Sequence, residues 1–208
     1  ISLIFCIDPS VAVEVAEKNL SGTFDNLIFE KADISDNSIA ENSLDFGYSL
    51  GVLHHIPDTQ QALNDCVKKL KQGSPFLLYI YYKFDNQLFW YFYLWKISDL
   101  IRQVICRLPY QLKLFISFFI AALVYLPIAR FGKIIELLGL PVKSWPLSDY
   151  RKKSFYTMRT DALDRFGTKL EHRFTKNEIK EMMKVSGLED IIFDELNAPY
   201  WCAVGYKK

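Results

Sequence analysis

Residues 32–58, ADISDNSIAENSLDFGYSLGVLHHIPD, constrain the fold of this chain more than any other stretch. An acidic turn leads through polar residues into an apolar run, 44–53, interrupted only by Asp45, small residues and Tyr48. The run is short, nearly unbroken and bounded by turn formers, which is the pattern of a buried strand. It then breaks into His54-His55-Ile56-Pro57-Asp58. In an open α/β sheet, ligands gather at the carboxyl ends of strands, so both histidines stand where chemistry is expected. The same alternation surrounds this stretch. Residues 2–7 and 27–31 read as strands, with a helix over 10–20 between them that starts after Pro9 and carries Val11, Val15 and Ala16 as an apolar side. Residues 59–72 read as an amphipathic helix, with Leu63, Cys66, Val67 and Leu70 at i, i+3, i+4 and i+7 and Gly73 as its stop. Residues 75–82 are the next strand. This order predicts an α/β doubly wound sheet with parallel crossovers.

The chain's 208 residues suit one domain with an insertion, and a hydrophobic share of 50% excludes disorder. A formal charge of +1 argues against a nucleic-acid binder that depends on dense phosphate contacts. Cys6, Cys66, Cys106 and Cys202 lie far apart without a C-x-x-C, and three of them sit in apolar patterns. Reduced, buried thiols in a cytoplasmic setting fit this better than disulfides or zinc. The three histidines and the acids show no ligand spacing such as H-E-x-x-H, so no metal is expected. The first residues lack a basic n-region and a small-residue cleavage site, so no signal peptide is expected.

After residue 82 the alternation stops, and 83–154 reads as an aromatic-rich helical insertion. Residues 114–129 contain no charge, but sixteen residues interrupted by Pro127 fall short of the roughly 20 needed to span a bilayer. A buried helix in a cap over the substrate is the expectation, with peripheral membrane contact through 88–130 as the alternative. Residues 154–174, polar between short apolar elements, read as an active-site loop. There, Arg159, Asp161, Asp164 and Arg165 either hold polar groups of an acceptor or form a surface ion-pair network. A last helix begins at the capping box Thr175–Glu178 and stops at Gly187; strands 189–196 and 200–206 follow, joined across 197–199.

Taken together, the acidic turn, the Ser43–His55 pattern S-x-D-x-G-x-S-x-x-V-L-H-H and the Pro57-Asp58 helix start resemble the class I S-adenosylmethionine (SAM) methyltransferases. The likeness is greatest to the group around the ubiquinone and menaquinone methyltransferases (methyltransferase type 11). Asp164-Arg165-Phe166, His172, Thr175 and Glu178 resemble a D-x-(F/Y)…H-x-(H/F)-(S/T)-x-x-E arrangement in the same proteins. The resemblance implies a Rossmann-like sheet closed by a C-terminal antiparallel hairpin. Its domains would be a partial SAM-binding core over 1–82, the insertion over 83–154 and the end of the core over 155–208. It assigns Asp8 to the ribose hydroxyls of the cofactor, Asp33 to the adenine amine and Ile34 to the ring. Ser49 and Leu50 complete the implied cofactor set. It also implies an earlier strand and a glycine-rich turn that these residues do not contain, so the chain is expected to be an N-terminally truncated piece. That leaves the sheet without its first strand and glycine-rich loop, the strand belonging between those that begin at Ser2 and Leu44.

A carboxylate can accept two hydrogen bonds from a cis-diol, which suits Asp8, although capping the helix after it is the competing role. Asp33 in the same way is either an adenine acceptor or a turn former. Methyl transfer is an in-line displacement, and a base is needed only for an alcohol or phenol acceptor. His55, or else His54, would take that proton, unless both only orient the loop. The expected activity is methyl transfer from SAM to a small or lipid-like acceptor. The alternatives are a non-catalytic or membrane-docking module on a degenerate sheet and, further away, a nicotinamide-dependent oxidoreductase.

Overall fold

A computed structural model describes residues 3–83, 85, 89–142, 145–194 and 200–208. The chain divides into two compact units, Ile1–Asn86 with His172–Lys208, and Gln87–Glu171. The boundaries thus fall at 86/87 and 171/172, where the sequence pattern places them at 82/83 and 154/155.

The first unit is α/β. Strand β1 (Ile4–Ile7), helix α1 (Ala12–Leu20) and strand β2 (Leu27–Glu30) form a crossover, with β1 and β2 parallel in the register Ile4↔Leu27 to Ile7↔Glu30. Strand β3 (Gly47–Leu50), a 3-10 turn (Leu53–His55), helix α2 (Thr59–Lys69) and strand β4 (Pro75–Ile80) form a second, with β3 and β4 parallel. After the insertion come the final helix of this unit (Lys176–Val185) and strands β5 (Leu188–Phe193) and β6 (Trp201–Lys207). Strand β6 lies antiparallel between β4 and β5, which is the expected closing hairpin, and gives the order β3-β4-β6-β5. The predicted 197–199 link and the ends at Ser2 and Leu196 lie outside the described residues.

Two expectations change here. The strand expected over 44–53 contains only four residues, and it is buried on one face: Ser49 is inside, whereas Tyr48 and Leu50 are 56% and 54% exposed. The apolar run reads as doubly covered, but the described residues cover one side only. Helix α1 packs through Val13 and leaves Val11 and Val15 in solvent, so the expected apolar side is not the packed one. Among the described residues no ladder joins β1–β2 to the larger sheet, so β1 and β3 each carry one unpaired edge.

The core of this unit forms between α2, β4, β6 and the Lys176–Val185 helix. Leu63 and Leu70 are completely buried, Val67 nearly so, and they meet Leu78, Ile80, Ile179 and Met183. Asp58 caps α2 by accepting from the Gln61 amide at 2.9 Å. The capping box of the final helix is made as read: Thr175 Oγ1 accepts from the Glu178 amide, and Glu178 Oε2 from the Thr175 amide at 2.7 Å.

The second unit is helical: α3 (Phe89–Ile105), α4 (Tyr110–Ile120), a π-helical turn (Ala121–Tyr125), α5 (Leu126–Leu137) and α6 (Phe155–Gly167). From Tyr110 to Leu137 the helix is continuous over 28 residues. Pro127 does not interrupt it, contrary to the sequence reading. Proline cannot donate to the carbonyl four residues back, here Leu123, and the π turn around that residue absorbs the misfit. The helix packs through Ser117, Ala121, Tyr125, Ala129 and Gly132, all buried. At Gly132 a Cβ would stand 2.8 Å from Trp145 Cδ1, so only glycine admits this approach. The expected loop over 154–174 is also corrected, because most of it is α6. Ser154 caps that helix, and Met158, Ala162 and Phe166 are its buried stripe at i, i+4 and i+8.

Candidate functional site

The carboxyl ends of β1 and β2 carry the same local device twice. After β1, Asp8 Oδ1 accepts from both the amide and the hydroxyl of Ser10. After β2, Asp33 Oδ1 accepts from the amide and hydroxyl of Ser35, both at 3.0 Å. Each is an Asx turn built by a D-x-S triplet, in which one carboxylate oxygen fixes the loop. Among the described residues the second oxygen of each accepts nothing. The turns are neighbours because the strands are paired, and the Asp8 amide itself donates to the Glu30 carbonyl. Ile34 is half-buried against the core beside Asp33 and offers an apolar wall. The competing turn-forming roles of both aspartates are therefore real, and each leaves an acceptor over.

The second constellation lies at the ends of β3 and β4. Gly51 follows β3 with φ +72°, a left-handed turn that sends the chain into the 3-10 turn holding His54 and His55. His54 has no exposed surface; its ring stacks on Tyr81 at 3.9 Å and lies 4.1 Å from the His55 ring. Segment 172–174 comes back from the insertion onto this point. The Phe174 amide donates to the Tyr81 carbonyl, the Lys83 amide to the Phe174 carbonyl, and the His172 amide to the His54 carbonyl at 2.9 Å. Arg173 sits 5.2 Å over the Tyr81 ring. All three histidines of the chain thus gather around one tyrosine and one arginine.

Burial, then the nearby His55, Arg173 and His172, push the His54 pKa down to about 3. Neither His54 nitrogen has a hydrogen-bond partner among the described residues. A neutral ring with no exposed surface favours the loop-orienting role of His54 over that of a base. His55, half-buried at the turn's end, stays the candidate base. Ser49 is buried in β3, its hydroxyl without a hydrogen-bond partner among the described residues, and Leu50 beside it is exposed.

The four residues expected to hold an acceptor all lie on α6 in the helical unit. Arg165 is committed internally, to Glu171 at 3.0 Å and to the Ser98 hydroxyl at 3.0 Å. The ion pair with Glu171 is thus formed, with both side chains largely buried rather than on the surface. Arg159 is exposed and lies over the Tyr156 ring, Asp161 is half-buried and Asp164 exposed. The sequence reading missed Tyr81 and Arg173 as neighbours of the histidines. The only local signal was polarity beside an apolar strand end.

The residues present fit the nucleoside end of SAM. Two open carboxylate oxygens and an apolar wall at adjacent strand ends suit a ribose diol and an adenine amine. Ser49, Leu50 and Gly51 stand at the end of the other sheet, so the structure unites Asp8, Asp33 and Ile34 but does not ladder them to Ser49 and Leu50. Among the described residues no group of three or more His, Cys, Asp or Glu has metal-binding geometry.

Residues 2–78 match the family described as methyltransferase domain. Similar solved structures include a SAM-dependent methyltransferase, possible histamine N-methyltransferase, from Thermotoga maritima (14% identity, TM-score 0.51, covering 98% of this chain and 72% of that one). Another is the SAM-dependent methyltransferase SibL in its apo form (11%, TM-score 0.53, 99% and 43%). A third is a possible exported protein from Bordetella parapertussis (12%, TM-score 0.52, 99% and 53%). At these identities the likeness is one of fold, and the chain spans about half the length of the last two. No curated protein matches the chain.

Proposed function

We propose, on the premise that residues 2–78 belong to the methyltransferase-domain family and that the chain has the class I SAM-dependent methyltransferase fold, that this protein methylates a small or lipid-like acceptor. SAM is the cofactor of that family and methyl transfer its chemistry; the acceptor class is the finer step. The observation that carries the cofactor site is the repeated D-x-S turn at the ends of paired parallel strands, inside the matched residues.

When bound, SAM supplies a methyl group on a sulfonium, an electrophile that needs an aligned nucleophile more than a strong base. Asp8 would hold the ribose with the carboxylate oxygen that Ser10 leaves open, and Asp33 the adenine amine with the one that Ser35 leaves open. Because the serines already orient both carboxylates, little side-chain freedom remains to be lost on binding. Ile34 would keep water from one side of the ring. At an alcohol or phenol acceptor, an imidazole nitrogen of His55 would take the proton. His54 would not share that proton. Its neutral ring, packed on Tyr81, supports the turn that presents His55. The apolar, aromatic insertion supports a partly apolar acceptor over a highly charged one.

Calorimetric titration with SAM tests this directly. Asp8→Ala and Asp33→Ala should each weaken binding by about 1–3 kcal/mol, the usual cost of a hydrogen-bonded partner lost at a polar ligand. Unchanged affinity in either variant removes that residue from the site. Displacement of SAM by NAD at similar concentration would favour the oxidoreductase reading instead.

A further inference from the structure

The helical unit has an apolar core, but two of its helices also turn apolar stripes to solvent. On α3, Phe89, Tyr93, Ile97, Leu100 and Val104 fall on one stripe at helical spacing, and each is more than 60% exposed. Two of the three charged residues of the same helix, Asp99 and Arg102, point inward, while Lys96 is exposed. Arg102 is 6% exposed, pairs with Asp99 at 2.7 Å and donates to the Thr168 and Lys169 carbonyls. Arg165 and Glu171 form a second inward pair. A helix packed for water shows the reverse, with an apolar stripe inside and charges outside. Burying ion pairs and exposing apolar stripes are each unfavourable in water, and here both occur on one element.

The long helix repeats the pattern. The most apolar 18-residue window within Tyr110–Leu137 has a mean hydropathy of 2.2, yet only 22% of that window is buried. Its small residues are used against α6. Phe115, Phe119 and Leu123 face outward and line an open depression of about 360 Å³ with Ile116, Ile120 and Val124.

Charge selects what covers these faces. Residues 87–171 hold thirteen Lys and Arg against six Asp and Glu, a net charge of +7. The remaining residues hold twelve against eighteen, a net charge of −6. Lys96, Arg130 and Lys133 are exposed on the helices that carry the apolar stripes, and Arg107 is exposed in the turn after α3. Apolar and aromatic side chains flanked by basic ones suit the interfacial zone of an anionic bilayer. The unit does not need to span it, since α6, packed on both α3 and α4, keeps Arg159, Thr160 and Asp164 exposed.

We propose that residues 89–137 form a docking face that seats this protein in the interfacial layer of an anionic lipid bilayer. The inference does not depend on the methyl-transfer reading. The test is flotation of the intact chain with vesicles of phosphatidylcholine, alone or mixed with phosphatidylglycerol. Wild-type protein should float with the anionic vesicles at least tenfold more than with the neutral ones, and salt should weaken this. The double variant Ile97→Asp, Leu123→Asp changes only exposed positions, so it should keep its circular dichroism and lose flotation at least tenfold. Lys133→Glu should reduce the preference for anionic lipid. Wild-type protein that stays with the soluble fraction overturns the proposal, as does a double variant that floats unchanged. Sedimentation of a non-floating dimer that the double variant dissociates also overturns it, and gives the face to a second copy. Loss of SAM binding with flotation intact would count against the cofactor site alone.

Discussion

His54 is neutral where most histidines titrate, and this gives the molecule a pH signature of its own. Burial and its charged neighbours lower its pKa from 6.5 to about 3, so between those values the unfolded chain binds a proton that the folded one refuses. Stability contributed by the neutral ring is therefore complete above about pH 6.5 and is lost as pH falls towards 3. Urea unfolding across this window should show an extra slope of up to about 1.4 kcal/mol per pH unit. His54→Leu should remove that extra slope and leave the carboxylate contribution; an identical pH profile in the variant would show that the ring titrates normally. The cysteines answer to the same physics. Burial, reinforced by Asp65, raises the Cys66 thiol to about 12, so its thiolate is scarce at neutral pH. Thiol reagents should modify half-buried Cys66 much more slowly in the native protein than in the unfolded chain, and equal rates would contradict its raised pKa. Asp8 and Asp33 were readable as candidates because an acid follows each strand end, directly after β1 and within three residues of β2. What could not be read was that Ser10 and Ser35 would each occupy one oxygen and leave the other.

At the scale of elements, periodicity served where one partner surface decides burial. Leu63 and Val67 of α2 pack as their spacing predicts, in one core with β4 and the Lys176–Val185 helix, and Leu70 joins them from the extended residue just past the helix end. Leu63→Ala should cost about 2–5 kcal/mol, since a side chain with no exposed surface leaves a cavity. A loss below 1 kcal/mol would mean that the site collapses around the smaller residue. Thr175→Ala should cost about 1 kcal/mol, because the hydroxyl that accepts from the Glu178 amide is lost while the Thr175 amide keeps its bond to Glu178. Denaturant midpoints at constant m-value would read both effects. Helix α6 escaped the sequence reading because Thr160, Asp161 and Asp164 interrupt the eye, although Met158, Ala162 and Phe166 keep helical spacing. Pro127 misled for a different reason: a π turn is a backbone adjustment that no residue type announces.

In the molecule as a whole, the four-stranded sheet and the β1–β2 pair differ in how much core supports them. Strand β4 lies between two neighbours with every second residue buried, whereas β1 and β2 contain no fully buried residue. A two-stranded sheet is marginal by itself, so amides of β1 and β2 should exchange through local opening well before those of β4 and β6. Equal protection in hydrogen exchange would show a single cooperative unit. Charge is segregated at the same scale, with the basic excess in the insertion and the acidic excess in the α/β unit. By itself the sequence determined the alternation of strands and helices, the closing hairpin, the apolar stripe of α2 and the acids at two strand ends. These follow from neighbouring residues, because helical and extended backbones repeat over a few positions. Only the tertiary structure decided that His54 is sealed from solvent, that His172 and Arg173 come back to Tyr81, and that Asp99 and Arg102 face inward while Leu100 faces out. Burial and partners depend on segments far apart in the chain, and local spacing does not say which face of an element another segment will cover.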